Sequence, residues 1–301
     1  MPLARMNDVI ESARAAGVGV GAFNVVSIEH AEAIVAGAEA AGAPVVLQIS
    51  ENCVAYHGAL APIASACLAI AGQATVPVPV HLDHVSSVEL VEAAAGLGLA
   101  SVMYDASRLP YADNVRATAQ VARWCHQRGI WVEAELGEIG GKDGVHAPAA
   151  RTDPAEAARF VAATAVDALA VAVGSSHAML TRDAVLDLGL IATIRNAVSV
   201  PLVLHGSSGV PDRDLAAAVR AGMTKVNIAT QLNRVFTAAV RRTLSDEPAT
   251  VDPRRYGAAG RDAIAPEVTR LLRLLGAGSL TTGSLTTGDR GGTGEPLSPV
   301  E

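Results

Sequence analysis

The chain has 301 residues, half of them hydrophobic, a formal net charge of −7 and an aromatic share of 3%. That length and apolar content suffice for one large α/β domain whose core needs no disulfide staples. The acidic balance and scarce aromatics exclude a nucleic-acid surface, which needs a basic stripe or stacking platforms.

Cys53, Cys67 and Cys125 form no CxxC and no pairing pattern, which fits a reducing compartment and rules out a cysteine zinc knuckle. Residues Met1 to Asp8 lack a hydrophobic signal core, and no apolar stretch approaches membrane-spanning length. A cytoplasmic protein without a membrane segment is expected.

In chain order, Gly17 to Val26 reads as a first strand, and Ser27 as N-cap of a helix over Ile28 to Ala41 that Gly42 ends. Pro44 to Ser50 is a second strand, continuous in apolar character as buried parallel strands are. The run Ala74 to Val80, closed by His81-Leu82-Asp83-His84, is the third, with a helix from Val88 to Ala95 after it. Ala100 to Asp105 is the fourth, followed by a helix from about Tyr111 to Arg128 that Gly129 ends. Ile130 to Gly137 is the fifth. Asp153-Pro154-Ala155-Glu156 then offers an N-cap, a proline at the first helical position and a capping-box glutamate. The sixth and seventh strands end in His177 and His205, and Thr224 to Thr230 is the eighth, feeding a helix that starts near Gln231.

Eight strands, each followed by a helix, is the count of a (β/α)8 TIM barrel spanning residues 1–275 as a single domain. A doubly wound open sheet would need a dinucleotide fingerprint in its first turn, and no G-x-G-x-x-G is there. From residue 276 the composition changes. Gly278-Ser279-Leu280-Thr281-Thr282 recurs as Gly283-Ser284-Leu285-Thr286-Thr287, and a tail over 276–301 of that kind is expected to be disordered.

Three histidines, His84, His177 and His205, close three separate strands. They converge only if those strands surround one mouth, and three protein ligands with one open position is the pattern of catalytic zinc. A hydrogen-bonded polar plug accounts for His81, Asp83 and His84 alone, but not for the later recurrence. Lys225, near the end of the eighth strand, is the competing candidate for a Schiff-base nucleophile.

Seven motifs fall in order along the chain: Ala22-Phe23-Asn24, Gln48-Ile49-Ser50, His81-Leu82-Asp83-His84, Glu133-Ala134-Glu135-Leu136-Gly137, Gly174-Ser175-Ser176-His177, His205-Gly206-Ser207-Ser208-Gly209 and Lys225-Val226-Asn227-Ile228-Ala229-Thr230. Over residues 3–275 the chain resembles the class II, zinc-dependent ketose-bisphosphate aldolases, which act on fructose or tagatose bisphosphate. The resemblance implies reversible cleavage of a ketose 1,6-bisphosphate into dihydroxyacetone phosphate and glyceraldehyde 3-phosphate. It implies Zn2+ on His84, His177 and His205, Asp83 as acid/base at the C4 hydroxyl, and Glu135 beside the metal. Gly206, Ser208, Asn227 and Thr230 match a phosphate cradle, Ser50 a substrate contact and Asn24 a site-lining amide. The family also binds a monovalent cation, Na+ or K+, through main-chain carbonyls around residues 178 and 206, and its members are homodimers or homotetramers.

The loop after the fifth strand departs from the family. It reads Gly140-Gly141-Lys142-Asp143-Gly144 where relatives carry Gly-Gly-x-Glu-Asp-Gly, so Asp143, or else Glu138 or His146, stands in for the missing glutamate. Arg254, Arg255 and Arg261 are candidates for the second phosphate, and Ala229 fits the tagatose-like branch. Two further readings stay open: a phosphosugar-binding protein with impaired turnover, and a related zinc aldolase that uses another aldehyde.

Overall fold

Buried strands alternating with helices close on themselves, as the sequence predicts. The computed structural model describes residues 4–136, 151–176, 179 and 181–280. In it eight parallel strands pair in chain order and the eighth returns to the first. They are β1 (Val20–Asn24), β2 (Val46–Ser50), β3 (Val80–Val85), β4 (Ser101–Tyr104), β5 (Trp131–Leu136), β6 (Ala168–Val171), β7 (Leu202–Leu204) and β8 (Met223–Ile228). The closing register, Val20 opposite Lys225 through Phe23 opposite Ile228, leaves no open edge and discards the doubly wound alternative.

Some expected strands prove shorter, for a reason visible in β3. The apolar run begins at Ala74, yet the strand starts at Val80. Pro77 and Pro79 accept from the Val45 and Leu47 amides (3.1 and 3.0 Å), but proline has no N–H to offer a strand on its other side.

Alternation divides the core into two layers. Phe23, Leu47, Leu82 and Val132 face outward onto the helices in the main cluster. Val20, Ala22, Val46, Met103, Trp131, Ala168, Ala170 and Val203 form a second cluster with Met6, Val9, Ile10 and Ala13 of α1 (Met6–Ala16). Helix α1 thus stoppers one end of the barrel and leaves the ends of the strands opposite it to build a site.

Helix α2 (Ile28–Ala41) has the expected bounds, with Gly42 at φ 62° as its C-cap. Ser27 has the extended backbone of an N-cap, but its hydroxyl donates to Glu29 (2.5 Å) instead of capping. Helices α3 (Glu51–His57) and α4 (Leu60–Gln73) lie between β2 and β3, where the sequence was not assigned a helix. Helices α5 (Val88–Gly96) and α6 (Tyr111–His126) agree with expectation. So does α7 (Pro154–Thr164), where Asp153 accepts from the Glu156 amide at 2.7 Å. Helices α8 (Leu188–Ala197), α9 (Asp212–Ala221) and α10 (Thr230–Asp246) complete the barrel. A long α11 (Pro253–Leu274) then packs on α2, where the Thr269 hydroxyl donates to the Gly37 carbonyl (2.9 Å).

Ala277 and Leu280 are buried, and the rest of the proposed tail, from residue 281, lies outside the described residues. Among the described residues no single helix is long and apolar enough to cross a membrane.

Candidate active site

The strand ends opposite α1 surround a cavity of about 490 Å3. Asn24, Ser50, Asp83, His84, Gly206, Ser208, Asn227 and Thr230, expected at the site on five different motifs, all line it.

Strand β3 contributes two neighbours at once, which a regular strand cannot do because adjacent side chains point to opposite faces. His84 resolves the conflict by taking φ 52°, a left-handed conformation unusual outside glycine, and the pairing of β3 with β4 shifts between Leu82 and Val85. Asp83 and His84 therefore both reach the cavity.

Asp83 is buried, and its carboxylate accepts from Asn24 Nδ2 (3.2 Å) and Asn227 Nδ2 (3.5 Å). Gln48 donates in turn to Asn24 Oδ1 (3.2 Å), fixing which way that amide points. His84 Nδ1–H donates to Asp105 Oδ2 at 2.8 Å, while Asp105 Oδ1 accepts from the Ser107 amide and hydroxyl (3.1 and 2.6 Å). His205, after β7, is fully buried. Its Nε2–H donates to Glu133 Oε1 (3.0 Å), and its Nδ1 lies 3.5 Å from Glu135 Oε2. Glu133 and Glu135 stand two apart on β5, so both face the barrel interior.

Ligand atoms of Asp83, His84 and His205 lie within 4.8 Å of one another, as do those of His84, Asp105 and Glu135. Two imidazoles, each held through one nitrogen by a carboxylate, with further carboxylates beside them, form a donor set that suits zinc. His177, the third expected histidine, lies outside the described residues, as do Ala178, Asp143, Glu138 and His146.

Deeper in the barrel, burial, with the Lys225 charge adding to it, holds the His81 imidazole well below its usual pKa, so it is neutral. Its Nδ1 lies 2.5 Å from Ser101 Oγ. Lys225 is fully buried, with Nζ 2.8 Å from Glu133 Oε2 and 2.9 Å from Asn227 Oδ1. Lys225 is not among the described residues that line the cavity, and its Nζ is engaged by Glu133 and Asn227, which speaks against the Schiff-base alternative.

The other side of the cavity is built from backbone. Gly206, at φ 65°, leads into a tight turn over Ser207–Gly209, and the Ser207 hydroxyl donates to the Asn227 carbonyl. Ser208 Oγ accepts from the Gln231 amide in the first turn of α10 (3.2 Å). That turn carries no acidic residue. A helix N-terminus meeting a left-handed turn at a cavity wall is a ready anion seat. Ser50 also accepts from the Cys53 amide (3.2 Å), so one hydroxyl both caps α3 and lines the cavity.

The three arginines considered for the second phosphate are engaged elsewhere: Arg254 with Asp252 (2.7 Å), Arg255 with Glu247 (2.7 Å) and Arg261 with Glu32 (3.3 Å). Arg108, on the loop between β4 and α6, supplies the guanidinium among the described lining residues. Sequence reasoning also missed Asp105 and Glu133 as partners of the two histidines. Signals for both existed, since Asp105 ends a strand at the same edge and a carboxylate inside an apolar strand must find a partner.

Comparison with known proteins gives the family and the fold. The family model for class II fructose-bisphosphate aldolase matches residues 4–279. A fructose-bisphosphate aldolase of Geobacillus stearothermophilus is 38% identical over 281 residues, covering 92% of this chain and 98% of its own. The crystal structure of the YdjI aldolase from Escherichia coli K12 superposes with a TM-score of 0.82 at 32% identity, covering 92% of this chain and 98% of its own. A putative fructose-1,6-bisphosphate aldolase from Coccidioides immitis gives 0.82 at 26% identity, covering 94% and 99%. With the barrel, the grouped aspartate and histidines and a match running through nearly every described element, this aldolase chain belongs to the class II fructose-bisphosphate aldolase family.

Proposed function

We propose that the protein reversibly cleaves a ketose 1,6-bisphosphate, fructose or tagatose, into dihydroxyacetone phosphate and glyceraldehyde 3-phosphate, with zinc held by His84, His177 and His205. The observation that carries this reading is the approach of ligand atoms of Asp83, His84 and His205 to within 4.8 Å at the wall of one cavity. A bound zinc ion supplies a Lewis acid for the ketose oxygens, stabilising the charge that develops there.

The chain's own groups do the rest. Asp83 takes the C4 hydroxyl proton as the C3–C4 bond breaks, and Asn24 and Asn227 orient it by donating to its two oxygens. Glu135, beside Nδ1 of His205, is a further carboxylate next to the metal. Asp143 moves the proton at C3 of the dihydroxyacetone half, in place of the family's glutamate. Gly206, Ser208, Asn227 and Thr230, with the α10 N-terminus, seat one phosphate, next to a site for Na+ or K+ at main-chain carbonyls around residues 178 and 206. Ser50 and Asn24 contact the sugar, and Arg108 meets the distal phosphate. The protein acts in the cytoplasm as a homodimer or homotetramer.

The test is a coupled cleavage assay on both sugars and on an aldehyde panel in the reverse direction, before and after chelation and with zinc restored. Chelation abolishes turnover, zinc returns it, and borohydride with substrate leaves the enzyme active. Full turnover by zinc-free protein would end the reading.

A further inference from the structure

Beneath the cavity, the inward faces of β5 and β8 share an ion pair with no exposed surface, Glu133 with Lys225 at 2.8 Å. Desolvation of two charges roughly offsets their attraction, so such a pair adds little stability by itself and its other contacts matter more. Glu133 uses its second oxygen to accept from His205 Nε2 (3.0 Å). Lys225 uses a second N–H to donate to Asn227 Oδ1 (2.9 Å), and the amide nitrogen of Asn227 faces Asp83 Oδ1 (3.5 Å). One ammonium therefore stands at the junction of two arms, one ending on an imidazole and the other on a carboxylate.

We infer that Lys225 is a positioning residue, which through Glu133 selects the tautomer of His205 and through Asn227 fixes the amide that orients Asp83. The inference rests on the reading of His205 as a metal ligand and Asp83 as the acid/base. Its logic is one of donors and acceptors. A carboxylate only accepts, so the nitrogen of His205 that faces Glu133, Nε2, is the one that carries a proton, and Nδ1, beside Glu135, is the one that can offer a lone pair to the metal. An ammonium only donates, so the Asn227 atom facing Lys225 is the oxygen, and the NH2 group is turned to Asp83. Both assignments depend on the same Nζ. An uncharged side chain at 225 would leave the amide free to turn over and the Glu133 carboxylate without the donor that aims it.

The experiment uses the full chain stripped of metal, with zinc affinity measured by competition against a chromophoric chelator. Nitrogen NMR of ring-labelled histidine reads the tautomer of His205. In Glu133→Gln the new amide donates toward Nε2, so the proton moves to Nδ1 and zinc binding weakens by about 10–100-fold. Lys225→Met alone strands a carboxylate, so the charge-neutral Lys225→Met/Glu133→Gln variant accompanies it. That pair folds, and with no ammonium to fix it the amide at 133 turns either way, so His205 shows a mixture of tautomers, zinc binding weakens and turnover slows. Wild-type zinc affinity and an Nε2–H tautomer in Glu133→Gln and in the double variant overturn the inference. His205→Ala separates the two levels of argument: loss of zinc there keeps the metal site standing whatever Lys225 does, whereas wild-type affinity there overturns the metal reading and the inference with it.

Discussion

Gly206→Ala probes the wall of the cavity where backbone meets backbone. Gly206 sits at φ 65°, and an added Cβ would fall 2.5 Å from the carbonyl carbon and oxygen of Ser176. Those are main-chain atoms and cannot swing aside as a side-chain tip can. Holding an L-residue in the left-handed region costs about 1–2 kcal/mol and forced overpacking about 1–3, so the substitution destabilises by about 2–5 kcal/mol. Gly17→Ala is a matched control, because Gly17 has φ 67° and nothing within 4 Å of the new Cβ. It incurs only the backbone penalty of about 1–2 kcal/mol. Urea unfolding followed by circular dichroism, run side by side, should place the Gly206 variant about 1–3 kcal/mol below the Gly17 variant. Titration with inorganic phosphate should show weaker binding in the Gly206 variant alone. Equal stability of the two variants would refute the close approach of the β6 and β7 ends on which the cavity wall depends.

Arg108→Ala should raise KM for the bisphosphate by about 10–100-fold, the value of a charge-assisted hydrogen bond, while a substrate without the distal phosphate is little affected; an unchanged KM would remove Arg108 from that role. Burial raises the Asp212 carboxyl, but hydrogen bonds from Arg182 and Arg270 outweigh it and leave the group below its ordinary value. A carboxylate depressed on folding stabilises above its unfolded pKa, about 4, and that contribution is lost as pH falls through the folded value; Asp212→Asn should therefore flatten the stability loss below about pH 4 in melts at stepped pH. Burial pushes the Cys67 thiol up to about 12 and Cys125 up to about 11, so iodoacetamide at pH 8 should leave both unmodified in native protein and label both in urea, read by peptide mass spectrometry.

Local chemistry made several elements legible in advance. Glycine after α2 and the Asp153-Pro154 start of α7 are signals carried by a few adjacent residues, and the structure repeats them. The strands are visible as apolar runs, and the strand-end rule alone places Asp83, His84 and His205 at one mouth, where the structure has them. Partnerships across strands were not legible. Asp105 meets His84 because β4 adjoins β3, and Glu133 meets His205 through the barrel interior, relations that no spacing along the chain encodes. Helix α1 went unread although Met6, Val9, Ile10 and Ala13 carry a helical stripe, because its role as a stopper exists only once the barrel has closed. Arg108 sits on a loop with no pattern to mark it.

The left-handed backbone of His84 bears on any attempt to harden this protein against heat. Glycine or asparagine is at ease there and would relieve a strain of about 1–2 kcal/mol, yet either discards the imidazole for which the strand is bent. A selection scored on thermal endurance alone would drift toward a sturdier and chemically silent barrel at that position. Libraries built on this scaffold should hold residue 84 constant and seek their gains in the outer ring of helices.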